Sequence, residues 1–128
     1  MALKQLTVKC PNRPGVLAKI AAAVGDARVN LHGIYAPDSG PRGAVRLLVG
    51  DATRAASALR KAGFRPKQEP VVILRLADKP GSFGRAAAKL ARAGVNIRYS
   101  YATSTGLKAR ATVVLGVSNA AKARRVLR

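Results

Sequence analysis

The 128-residue chain has one cysteine, one histidine, no tryptophan and five acidic residues. Each scarcity excludes a class of protein. A lone Cys10 can close no internal disulfide and supply no cysteine cage for zinc, and it points to a reducing compartment. With His32 alone, no multi-histidine metal site can form, and only one imidazole is on offer as a triad base. The few carboxylates form no pair placed for general acid/base work, and neither a glycine-rich phosphate loop nor a cofactor fingerprint occurs. The expectation is a protein that is not an enzyme and needs neither cofactor nor metal. Long apolar runs are missing too. The stretches Leu47 to Val49 and Thr112 to Leu115 fall far short of the roughly 18 residues of a membrane span, and no basic-then-apolar leader opens the chain. A cytoplasmic location without membrane contact is expected.

What is abundant is positive charge. Lys and Arg number 24 against five acids, a formal charge of +19, but they stand singly among residues that are 48% hydrophobic, so the chain should fold. Arginine supplies 15 of the 24 beside much alanine and glycine, a bias that nucleotide composition alone can produce.

The chain also repeats itself. Displaced by 66 residues, Pro14-Gly15 falls on Pro80-Gly81, Val29-Asn30-Leu31 on Val95-Asn96-Ile97, Tyr35-Ala36 on Tyr101-Ala102, Gly40 on Gly106 and Gly50 on Gly116. From Leu6 to Gly50 the alignment needs no gap and gives 11 identities in 45 positions. Two copies of one unit follow, with boundaries at residues 1–69 and 70–128.

Each copy reads as strand, helix, strand, strand, helix. Leu6, Val8 and Cys10 alternate with Thr7 and Lys9, as Val72, Leu74 and Leu76 do with Ile73 and Arg75, so one face of strand one is buried, Cys10 with it. Leu17, Ile20, Ala21 and Val24, then Phe83, Ala86, Ala87 and Leu90, place an apolar stripe on each first helix, with Arg85, Lys89 and Arg92 on another side. Period-two patterning from Val29 and Val95 makes Asn30 and Asn96 strand residues facing away from the core, followed by hairpins to Val45–Val49 and Ala111–Leu115. Ala52, Ala55, Ala56 and Leu59 predict a second helix closed by Gly63, and Phe64 to Lys67 a fourth strand; Gly94 closes the first helix of copy two. The order β-α-β-β-α-β defines an α+β, ferredoxin-like fold with antiparallel sheets and helices on one face, the second unit lacking its last strand.

The repeated residues Asn12-Arg13-Pro14-Gly15-Val16-Leu17 with Val29-Asn30-Leu31, and Asp78-Lys79-Pro80-Gly81-Ser82-Phe83 with Gly94-Val95-Asn96-Ile97, resemble the signature of the ACT domain, a small regulatory module that senses amino acids in biosynthetic enzymes. The resemblance covers nearly the whole chain and is closest to short stand-alone proteins with two ACT domains. It implies a regulatory sensor of a free amino acid, bound at loop and strand positions, often across an interface between two units, with a target enzyme to control.

Those positions suit that chemistry on their own. An amino acid needs N–H donors for its carboxylate and oxygen acceptors for its ammonium. Gly15 allows close backbone approach, and the amides of Val16 and Leu17 lie at a helix N-terminus that favours an anion. Asn12 and Asp78 stand where helix caps are favoured and offer side-chain oxygens. Asn30 and Asn96 can donate and accept at once. The candidate ligand-binding residues are therefore Asn12, Arg13, Gly15, Val16, Leu17, Asn30 and Leu31 in copy one, and Asp78, Gly81, Ser82, Phe83, Asn96 and Ile97 in copy two. Tyr35 and Tyr101 are expected to pack on the sheet or an interface, and His32 to be an exposed or interface residue and not a catalytic base.

A competing reading is electrostatic. Lys9, Arg46, Arg75, Arg98 and Arg110 would share the sheet face away from the helices and could track phosphates. In the RNA-recognition module the third strand carries stacking aromatics, but Ala44, Arg46 and Val49 stand in those places here, and aromatics are 4% of the chain. Nucleic-acid binding of this kind would be weak and indifferent to sequence. The open sheet edge of the second copy and the side-by-side habit of ACT units favour a homodimer, against a charge repulsion screened beyond about 8 Å at physiological salt.

Overall fold

A computed structural model describes residues 3–104 and 110–128, so Gly106 of the repeat lies outside the described residues. The chain forms two compact units, Met1–Glu69 and Pro70–Arg128. Unit one contains β1 (Lys4–Pro11), α1 (Val16–Asp26), β2 (Leu31–Tyr35), β3 (Arg42–Val49), α2 (Ala52–Lys61) and β4 (Pro66–Glu69), with an antiparallel sheet ordered β2-β3-β1-β4. Unit two contains β5 (Val72–Ala77), α3 (Ser82–Arg92), β6 (Ile97–Ser104), β7 (Arg110–Val117) and α4 (Ala120–Val126), ordered β5-β7-β6. These are two ferredoxin-like units. Among the described residues, the place that β4 takes beside β1 has no counterpart beside β5.

Alternation along the central strands dictates the core. Leu6, Val8 and Cys10 of β1 and Val45, Leu47 and Val49 of β3 are buried against Ile20 and Val24 of α1 and Ala55 and Leu59 of α2. Val72, Val113, Leu115 and Val117 do the same against Leu90 of α3 and Ala123 of α4. Leu17 and Phe83, expected on the buried helix stripe, are instead 44% and 43% exposed. They sit in the first helical turn, where the helix has only just reached the sheet. The fourth strand begins at Pro66, two residues later than expected, because Phe64 donates its N–H to Leu59 O (2.9 Å) to close α2 and packs on the core.

Helices α1, α2 and α3 end alike. In each, the residue after the C-cap is left-handed, and the next N–H reaches back to the carbonyl five residues earlier: Val29 to Val24, Phe64 to Leu59, Val95 to Leu90. Gly63 (φ 94) and Gly94 (φ 75) suit that conformation, but copy one uses Arg28 (φ 61) where copy two has Gly94. No glycine marks this end of α1 in the sequence.

A bulge interrupts β2 between Leu31 and Gly33 and β6 between Ile97 and Tyr99, at corresponding places. The extra residues are His32, which is exposed as expected, and Arg98. Asn30 and Asn96 precede these strands and do not belong to them, and Leu31 is 37% exposed on an edge strand.

Two substitutions test these backbone arguments. Arg28→Gly should raise stability by about 0.5–1 kcal/mol, since a left-handed conformation costs a side-chain-bearing residue about 1–2 kcal/mol and glycine returns part of that as unfolded-state entropy; denaturant unfolding reads it. At Gly116 an added Cβ would lie 2.2 Å from the Tyr99 ring. Gly116→Ala should therefore cost about 1–3 kcal/mol, and Tyr99→Ala in the same chain should make the added methyl cheaper.

Candidate functional site

In both copies the first strand gives way to a Pro-Gly turn that starts the first helix. Gly15 (φ 89, ψ −16) and Gly81 (φ 87, ψ −12) are the N-caps, both left-handed, and neither helix has a side-chain cap. This corrects the expectation of caps at Asn12 and Asp78. Space does not force the choice at Gly15, where an added Cβ would meet nothing within 4 Å; the backbone conformation does.

Asn12 serves as a clasp. Its backbone N–H donates to Pro41 O (2.9 Å), and its side-chain amide donates to Asp38 Oδ1 (3.1 Å) and to Gly40 O (3.0 Å), binding the β1–α1 turn to the β2–β3 connection. The Asn12 amide oxygen takes part in neither side-chain bond. Asp38 was not foreseen as a site residue, although Asp38-Ser39-Gly40 is a turn signature that could have drawn attention to it.

The amides at the helix entrance are only partly available. Val16 donates to Arg13 O and Ser82 to Lys79 O, each at 3.3 Å, so these two close the turn. The next amides, of Leu17 and Phe83, belong to the first-turn donors that a helix cannot satisfy from within itself.

Around each turn lies a depression, and the two correspond position for position. In unit one it measures about 110 Å³ and is walled by Asn12, Arg13, Val16, Leu17, Ala36 and Val45. In unit two it measures about 340 Å³ and is walled by Asp78, Lys79, Ser82, Phe83 and Ala102, the residues 66 positions on, and by Val113, which pairs with Leu74 as Val45 pairs with Val8. Tyr101 enlarges the wall of the second. Each has a cation (Arg13, Lys79) and a helix N-terminus on one side; the carboxylates differ, Asp78 lining the second depression in the place of Asn12, and Asp38 standing behind Asn12, whose amide it accepts, at the first.

Asn30, Leu31, Asn96 and Ile97 line neither depression. The register explains this: Leu31 lies opposite Val49, the far end of β3, whereas Pro11, leading into the turn, lies opposite Arg42 at its start. The separation along the strand is roughly 23 Å at 3.3 Å per residue. Asn96 is instead tied to the start of α4, its N–H donating to Ser118 Oγ and its carbonyl accepting from Ser118 N, both at 3.0 Å. Ile97 packs on the second core.

The sheet face away from the helices is not the continuous basic surface expected from sequence. It buries Gln5, Thr7 and Leu48 in unit one and Val114 in unit two. The Arg46 guanidinium lies over the Tyr35 ring at 5.9 Å, and Arg110 donates to Arg75 O at 3.2 Å. Arg98 is in a bulge, outside the regular alternation. Among the described residues no helix is long and apolar enough to cross a membrane, and no cluster of three or more metal-ligating side chains occurs.

Two ferredoxin-like units in tandem, each with a glycine-entered helix above a small depression, define a pair of regulatory-type domains. The family described as "ACT domain pair" matches residues 1–128, and the chain belongs to it. It is similar to protein BT0572 from Bacteroides thetaiotaomicron, with 27% identity over 97% of this chain and 85% of that one and a TM-score of 0.88. The ligand-free regulatory subunit of aspartate kinase from Thermus thermophilus matches at 19% identity, 99% and 95% coverage and a TM-score of 0.71. That from Thermus flavus matches at 21%, 98% and 90%, and 0.67; these two likenesses speak to the fold. No curated protein matches the chain.

Cys10 stands two residues before the turn, 4% exposed, and burial pushes its thiol above its ordinary pKa while Arg42 pulls weakly the other way. A raised thiol pKa contributes stability that is complete below the unfolded value and is lost as pH rises through the folded one. Alkylation at pH 8 should accordingly be slow in the native protein and become fast on denaturation, measured by mass; equal rates would place the thiol at the surface.

Proposed function

We propose that the chain is a regulatory sensor of a free amino acid or a similar small zwitterion, bound at the turn depressions and transmitted as a change of conformation or association. The observation that carries this reading is the recurrence, in both copies, of helix-entrance N–H groups and a cation suited to a carboxylate; an acceptor for an ammonium stands at or near each depression, Asp38 by the first and Asp78 in the second, from different positions of the repeat. The depressions differ in their walls. Leu17 faces one and Phe83 and Tyr101 the other, so the copies would prefer different side chains or only one would bind.

Asn30 and Asn96 stay candidates on different terms. At roughly 23 Å from the turn of its own unit, Asn30 could touch a ligand only at the turn of another ACT unit, which an assembly would supply. A two-fold homodimer is the simplest such assembly. Ligand would then favour that arrangement to the extent that it binds it better, and an attached or separate target enzyme would read the shift.

Thermal unfolding with each of the twenty amino acids tests the proposal. A ligand at 100 times its Kd should add about 2.7 kcal/mol, a rise of several degrees for a chain of this size. Asp78→Ala, in the larger depression, should weaken that ligand by about 1–3 kcal/mol. Asn30→Ala should weaken it only where light scattering shows a dimer. Failure of every amino acid to shift the transition would sink the sensor reading.

A further inference from the structure

A second concavity of unit one, lined mainly by cations, is a different feature. It lies on the β4 side of β1, whereas the turn depression lies on the β3 side, and it measures about 500 Å³. Four cations from three separate stretches of chain line it: Lys9 of β1, Arg42 of β3, and Arg65 with Lys67, two residues apart where the α2–β4 connection enters β4. A fifth, Lys19, stands 5.7 Å over the ring of Phe64, which forms part of the same wall. Glu69 is the only acid in the lining, and its carboxylate already accepts the Thr7 hydroxyl. Among the described residues the one ion pair is Arg54 with Asp51, on α2, so none of the four cations is neutralised by a carboxylate at ion-pair distance.

Like charges converging in one cleft repel each other and are relieved by a multivalent anion. Two guanidinium groups suit phosphate oxygens in bidentate fashion, while the two lysines act as mobile point charges. The volume falls in the range of about 300–1,000 Å³ typical of cofactor-sized sites. A monocarboxylate or a single amino acid would satisfy little of this charge.

We infer that the Lys9–Arg42–Arg65–Lys67 cleft binds a compact phosphate-rich anion of nucleotide size, as a second input separate from the turn depressions. β4 forms one wall, and unit two has no such strand among the described residues, so the site belongs to unit one alone. The half-buried Phe64 gives the cleft an apolar wall against which the organic part of a nucleotide could rest.

Calorimetric titration of the full chain at roughly 150 mM salt, where exposed charges are screened beyond about 8 Å, separates a built cleft from the overall charge. The probes are inorganic phosphate, inorganic tripolyphosphate, ATP and a twelve-nucleotide single strand. Saturable binding of one tripolyphosphate or ATP per chain is expected, tighter than inorganic phosphate. ATP binding more tightly than tripolyphosphate would assign the organic part to the Phe64 wall; equal affinity would assign recognition to the phosphates. Arg65→Ala with Lys67→Ala should weaken binding about 10-fold or more. Arg92→Ala with Arg125→Ala, the same change of net charge at exposed sites lining none of the depressions described, should leave it within two-fold. Lys9→Gln is a second, single-site variant should the double one unfold. Equal weakening by both pairs, no binding at that salt, or tighter binding of the oligonucleotide would each overturn the inference. None of these readouts depends on whether an amino acid binds at the turns.

Discussion

The burial of one face of β1 and β3 beneath two helices is the constraint from which the rest of each unit follows. Leu6, Val8 and Cys10 must point the same way, and so must Val45, Leu47 and Val49, which restricts the two strands to pairings an even number of residues apart, the observed one opposing Leu6 to Leu47. A slip of one residue would turn every one of them to the other face. With the register fixed, Pro11 and Arg42 meet at one end of the sheet and Lys4 and Val49 at the other, so the helix-starting turn and the β2–β3 connection are brought together without further instruction. The Asn12 clasp to Asp38 and Gly40 then holds them there. The same register keeps Asn30 away.

The copies share this frame and differ in what they hang on it. Gly15 and Gly81 start their helices in the same left-handed conformation, but the residues around them have diverged from Asn12, Val16 and Leu17 to Asp78, Ser82 and Phe83. The first copy has the smaller turn depression and, among the described residues, alone carries β4, with the basic cleft beside it; the second has the roomier depression. A tandem built in this way can hold two chemically different sites on one scaffold.

The strands, the helices, the order of elements and the three-stranded second sheet were legible in the sequence because periodicity and the 66-residue repeat report directly on burial. Local chemistry that depends on a backbone choice was less so. Asn12 looks like a helix cap by residue type, yet Gly15 takes that position and Asn12 turns to a loop 26 residues away, a partner no local pattern names. Arg28 occupies a conformation normally signalled by glycine. Asn30 seemed to lie on a strand because Val29 and Leu31 flank it, but the strand starts one residue later and a bulge at His32 shifts the alternation. The basic cleft escaped notice because Lys9, Arg42, Arg65 and Lys67 are scattered through the sequence and meet only once β4 pairs with β1.

The two bulges also order events in the history of the chain. An extra residue stands in β2 at His32 and in β6 at Arg98, 66 positions apart, and the same offset holds on both sides of it, from Val29 against Val95 to Ala36 against Ala102. The copies fall out of step only beyond, in the connection before β3 and β7, where Leu47 takes the place of Leu115. Had either insertion arisen after the copies separated, the alignment would be out of step on one side of it. The irregularity is therefore older than the duplication: the single ancestral unit already carried it, and His32 and Arg98 descend from the same residue.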